Sequence, residues 1–131
     1  MERRAINPVT WSQSLGFNQG EVVTGHTRTL YISGQTSMSP EGRPVHEDDL
    51  AAQLALATDN LEAVLGAADM SLASLVRLNV YATDIEALMP HYGAVAGRLE
   101  AAGAAPTTTM LQVVRLAIPG QMVELEGTAV G

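Results

Sequence analysis

Two carboxylates, Glu124 and Glu126, stand next but one to each other near the end of a chain of 131 residues. Val123, Leu125, Gly127 and Ala129 alternate with them and with Thr128. The period of two that a strand imposes therefore puts both acids on one face, roughly 7 Å apart by the rise per residue. A carboxylate in a half-buried cleft can orient a water molecule and exchange protons, or it can hold an arginine. Arg77, Asn79 and Tyr81 show the same alternation, as do Thr29, Tyr31 and Ser33.

Other chemistries are closed off by residue type. The chain has no cysteine, which removes disulfides, thiolate nucleophiles and thiolate metal sites. All seven cationic side chains are arginine, so neither a lysine Schiff base nor a Walker-type phosphate loop can form. His26, His46 and His91 have no repeated ligand spacing, and no metal site is expected. A net charge of −7 argues against nucleic acid as a partner, because phosphate neutralisation needs clustered cations. No apolar run is long enough to span a bilayer, and Met1-Glu2-Arg3-Arg4 leads into no apolar leader segment. With the absence of cysteine this fits a cytoplasmic protein.

The elements that must position these residues follow from periodicity. The length suits one domain, residues 1–131, with one aliphatic core, since 47% of residues are hydrophobic and only 4% aromatic. Arg3–Ile6 reads as a short edge strand, and Trp11 in the loop after it reads first as a packing residue and second as a surface for ligand stacking. Asn18–Thr24 and Thr29–Gln35 read as strands around a hairpin-like Gly25-His26-Thr27-Arg28. Asp48 to Ala68 is a helix with Asp48 as its cap and Leu50, Leu54, Ala57, Leu61, Val64 and Ala68 as its stripe. Leu75–Thr83 is the next strand, with Val76, Leu78, Val80 and Ala82 on its apolar face. A second helix, Ile85 to Ala102 after Asp84, ends before Gly103 and Pro106. Strands at Thr107–Leu116 and Met122–Val130 complete an order β-β-α-β-α-β-β, an α+β domain with both helices on one face of the sheet.

The other face of that sheet is polar. Water can solvate such a face in a monomer. Tyrosines mixed with both signs of charge also suit a surface packed on other subunits, where Arg77 would pair with Glu124 or Glu126.

From about Phe17 to Val130 the chain resembles the Rid/YjgF family of small trimeric proteins. The resemblance rests on Ile32-Ser33-Gly34-Gln35, Asn60-Leu61, Val80-Tyr81-Ala82-Thr83-Asp84, Tyr92, Val114-Arg115-Leu116 and Val123-Glu124-Leu125-Glu126. It implies a chorismate-mutase-like fold with a mixed sheet, a homotrimer, and ligand clefts between subunits. It also implies hydrolysis of reactive imines and enamines such as 2-aminoacrylate to keto acids and ammonia, with no cofactor.

Carried across by position, the resemblance makes Glu124 the catalytic candidate and Phe17, Ser33, Gly34, Thr108 and Met110 the substrate-binding ones. The family's deaminases hold the substrate carboxylate with an arginine where this chain has Thr108. They carry a cleft tyrosine at Phe17, and many have a cysteine at Met110. A threonine hydroxyl cannot reproduce a bidentate guanidinium grip. Arg115 does not replace it, being on the opposite strand face from Thr108. Two functions are therefore expected. One is a trimeric deaminase-type enzyme acting on an imine, enamine or related small carbonyl compound other than 2-aminoacrylate. The other is a non-catalytic trimer binding small metabolites or protein partners in the same clefts.

Overall fold

The computed structural model describes residues 1–131. Its strands are β1 (Glu2–Ile6), β2 (Gly20–Thr24), β3 (Thr29–Gln35), β4 (Leu75–Ala82), β5 (Thr107–Gln112) and β6 (Val123–Val130). Its α-helices are α1 (Leu50–Ala67), α2 (Ile85–Leu88) and α3 (Gly93–Ala101). Four strands form a mixed sheet in the order β3-β6-β4-β5, in which only β4 and β5 run parallel. This is the expected α+β arrangement, with the helices on one face.

The core lies between that face and the helices. Leu54, Ala57, Leu61 and Leu65 of α1 meet Leu78 and Val80 of β4 and Val123 and Leu125 of β6. Each fully buried leucine contributes about 1.5–3 kcal/mol relative to exposure. Two fully buried polar residues share the inner face of α1. Thr58 bonds back to the Leu54 carbonyl, while Gln53 donates to the carbonyls of His46 and Gly120 and accepts from the amide of Met122. Gln53 thus fastens the β5–β6 connection to the start of α1.

Several local expectations change. The hairpin between β2 and β3 does not form. β2 pairs antiparallel with β1 in a separate ribbon, and β3 pairs with β6. The amides of Thr27 and Arg28 both donate to the Gly131 carbonyl, which draws β3 to the end of β6. Arg3 holds the ribbon: it pairs with Glu21 at 2.5 Å and donates to the carbonyls of Ala73 and Leu75. Asp49, not Asp48, caps α1, accepting from the amide of Ala52. Asp48 takes a positive φ of 60° just before it.

The second helix is broken. Pro90 lacks an amide hydrogen and cannot continue α2, so Met89–His91 form a 3-10 turn before α3 begins at Gly93. On β4, Leu75 rather than Val76 is fully buried, because the pairing with β6 slips between Leu75 and Arg77. Gly127 lies opposite Leu78, just past that slip, where a Cβ would press on the Arg77 carbonyl and Leu75 at 3.0 Å. β5 stops at Gln112, so Arg115 is an exposed loop residue and shares no strand with Thr108.

Candidate functional site

Strand register and the cavity lining sort the six candidate residues into two groups. Thr108 lies opposite Leu78 and Met110 opposite Val80, both core residues, so Thr108 and Met110 face the helix side. Glu124 lies opposite Tyr81 and points to the open side, with Glu126 opposite Asn79. One chain therefore does not bring Glu124 and Thr108 together.

On the open side, β3 bulges against β6 between Ile32 and Gln35, where Ser33 and Gly34 sit. The Glu124 carboxylate lies directly over Gly34, in space that a Cβ there would occupy. Burial pushes the Glu124 carboxyl above the ordinary carboxylate range, and the charge of Glu126 adds to the effect. Glu126 accepts from Asn79 at 3.1 Å and from the Tyr81 phenol. That hydrogen bond, with burial and the two glutamate charges, raises the Tyr81 pKa against an opposing pull from Arg77. Arg77 itself donates to the Thr109 hydroxyl at 2.6 Å and makes no salt bridge with either glutamate within the chain. Tyr31, on the same face, is 80% exposed.

On the helix side, a cavity of about 520 Å³ opens beside β5. Phe17, Thr108 and Met110 line it, together with Trp11, Tyr92 and Leu99. Trp11 meets Phe17 edge to face, with ring centroids 5.9 Å apart. The 3-10 turn Gln13–Leu15 and Gly16, at φ 86°, fold this segment back towards α3. The Thr108 hydroxyl donates to the Pro106 carbonyl at 2.8 Å. Burial pushes the Tyr92 phenol up to about 12, so it stays neutral. No charged side chain lines the cavity.

Met89 and Tyr92 join this lining without having been singled out as binding residues, and so does Trp11, for which ligand stacking was only the second reading. For Trp11 the packing reading gives way to a wall residue that is 60% exposed. A single tryptophan in a loop carries no periodic signal that could have placed it. No group of three or more His, Cys, Asp or Glu side chains comes together, and the three histidines are exposed. No helix is long and apolar enough to cross a membrane.

The protein family described as endoribonuclease L-PSP matches residues 12–131. No curated protein matches the chain. Among solved structures, the chain is similar to YyfB of Yersinia pestis, a protein of unknown function in the conserved Rid family. The two share 33% identity over 99% of each chain, with a TM-score of 0.86. It is also similar to TdcF of E. coli, solved with bound serine, at 26% identity over 88% of this chain and 87% of that one, TM-score 0.70. RidA of the Antarctic bacterium Psychrobacter sp. PAMC 21119 shares 29% identity over 87% of each chain, TM-score 0.69. With the family match covering nearly the whole length and the fold superposing on solved members, the chain belongs to the Rid/YjgF family.

Proposed function

We propose that this protein hydrolyses an imine, an enamine or a related small carbonyl compound in clefts between the subunits of a homotrimer. The observation that carries the reading is Glu124, half-buried over Gly34 with its proton affinity raised by desolvation and by Glu126. Such a group exchanges protons closer to neutral pH than an ordinary carboxyl.

In the reaction, water adds to the carbon of a protonated imine to give a carbinolamine. The C–N bond then breaks, ammonium leaves and the carbonyl forms. An enamine first takes a proton at carbon and enters as the imine. Glu124 receives one proton of the attacking water and returns it to the nitrogen, then takes the hydroxyl proton as the C–N bond breaks and passes it to the departing ammonia. Ser33 and the backbone beside Gly34 orient the substrate.

The split between the two groups of candidate residues supports an assembly in which one chain supplies Glu124 and its neighbour supplies the cavity at Thr108 and Met110. The cysteine-free chain fits work in the cytoplasm. RNA cleavage is disfavoured. The open face presents Glu124 and Glu126, its Arg77 is engaged by Thr109, and the chain carries a charge of −7.

A second reading, a trimer that binds a small metabolite without turning it over, draws on the uncharged cavity and on Thr108, whose hydroxyl is engaged by the Pro106 carbonyl just before its strand. Ammonium release from enzymatically generated imines, followed for wild type and Glu124→Gln, separates the two. The enzyme reading requires release above the spontaneous rate that is lost in the variant. A folded wild type that accelerates no imine in the panel leaves the binding reading.

A further inference from the structure

We propose that the cavity beside β5 is a side-chain pocket for an uncharged, aromatic-sized substituent, with Trp11 as its specificity-determining wall. The inference rests on the imine or carbonyl reading for its reaction, but not for its binding chemistry.

Size comes first. The cavity measures about 520 Å³, against the about 150 Å³ of a protein cavity that accepts benzene. A ring with a short linker fits; a bare two- or three-carbon acid would leave most of the space to water. Ligand pockets of roughly 300–1,000 Å³ are the ordinary range for small molecules.

Charge comes second. No Arg, His, Asp or Glu lines the cavity. Its polar side chains offer no counter-charge. Thr108 donates to Pro106 and Ser14 donates to the Trp11 carbonyl, both within the chain, and the Tyr92 phenol remains neutral up to about pH 12. A carboxylate entering here would give up its hydration without a cation to replace it. A neutral apolar group gives up nothing of the kind.

The wall comes third. Trp11 is 60% exposed although it contacts Phe17, so much of the indole remains available at the cavity mouth. The hydrogen bond from Ser14 to the Trp11 carbonyl ties the following turn to its backbone. Leu15 at 62% and Met89 at 53% are likewise exposed, leaving apolar surface around the opening. An aromatic ring seated between Trp11, Phe17 and Met110 covers that surface and contacts sulfur as well as ring faces.

Stable ketones test this without any turnover. Trp11 is the only tryptophan, so its fluorescence reports the pocket directly. Benzylacetone, phenylpyruvate and pyruvate are titrated into the full chain. Saturable quenching or shift by benzylacetone is expected, with phenylpyruvate at least tenfold weaker and pyruvate without effect.

Ala96→Phe fills the cavity from α3 and is expected to abolish the response with the melting temperature retained. Calorimetry on Trp11→Ala is expected to show benzylacetone binding weakened at least fivefold, and the exposed indole can be removed without opening the core. Failure of benzylacetone to bind the folded wild type overturns the proposal. So does equal or tighter binding of either acid, or undiminished binding by the folded variants. Ketone binding without hydrolysis of any imine removes the enzyme reading alone; imine hydrolysis without ketone binding removes the pocket alone.

Discussion

Gly34 leaves the space that the Glu124 carboxylate fills: a Cβ at residue 34 would overlap the carboxyl group itself. The overlap is with the far end of a flexible side chain, so a larger residue at 34 displaces Glu124 rather than breaking the sheet. Gly34→Ala is therefore expected to change stability by less than about 1 kcal/mol in urea unfolding. Imine hydrolysis should fall at least tenfold in the same protein. A variant with full activity would show that the position of Glu124 does not matter.

Glu126 tunes its neighbour. Burial is the larger cause of the raised Glu124 pKa and the charge of Glu126 the second, so Glu126→Gln should lower it while leaving an amide oxygen for Tyr81 and Asn79. The acid limb of the rate profile, where Glu124 loses its proton, should move to lower pH. The stability sign is opposite to that of a salt-bridged acid. Folded Glu124 holds its proton more tightly than the unfolded chain, so stability falls as pH rises from the unfolded pKa through the folded one. Glu126→Gln should flatten that fall. An unmoved limb and an unchanged slope would contradict the coupling.

Tyr92 makes a second pH prediction. Its phenol titrates at about 12 in the folded chain instead of the ordinary 10.0, because it is buried beside the cavity. The folded state keeps a proton that the unfolded state gives up, so stability should drop as pH rises between those values. Urea midpoints measured across that range should show the drop reduced in Tyr92→Phe. Parallel curves would place the phenol in water.

Much of the fold was legible because it is written in short periods. The alternation in Leu75–Ala82 and Val123–Val130 separates an aliphatic face from a polar one, and the strands run as that pattern requires. Pairing was less legible. Nothing local in Gly20–Thr24 distinguishes β3 from β1 as its partner, and the choice depends on Arg3 reaching Glu21 and on Gly131 holding Arg28. The break at Pro90 was visible as a residue type, yet the apolar stripe runs through it. The candidate site divides similarly. Glu124 and Gly34 come together across a bulge between two strands whose periods were readable, whereas Trp11 reaches Phe17 only through the turn at Gly16.

The ribbon of β1 and β2 depends on one arginine. Arg3→Ala leaves Glu21, whose side chain is 7% exposed, without its partner and removes donors from the carbonyls of Ala73 and Leu75. A loss of about 1–3 kcal/mol is expected in urea unfolding, the range for stranding a buried polar group. Removing Glu21 as well should cost less than the sum of the two single changes. Additive effects would mean that the pair is solvated.

A working site on this account takes Glu124 from one chain and the cavity from another, and subunit mixing tests that claim most directly. Glu124→Gln and Ala96→Phe, each expected to be inactive as a pure trimer, are co-refolded and assayed for ammonium release. Mixed trimers should recover activity, because one of their clefts joins an intact Glu124 to an open cavity on the neighbouring chain. Mixed trimers no more active than either variant by itself would contradict the account, and would put the whole site within a single chain.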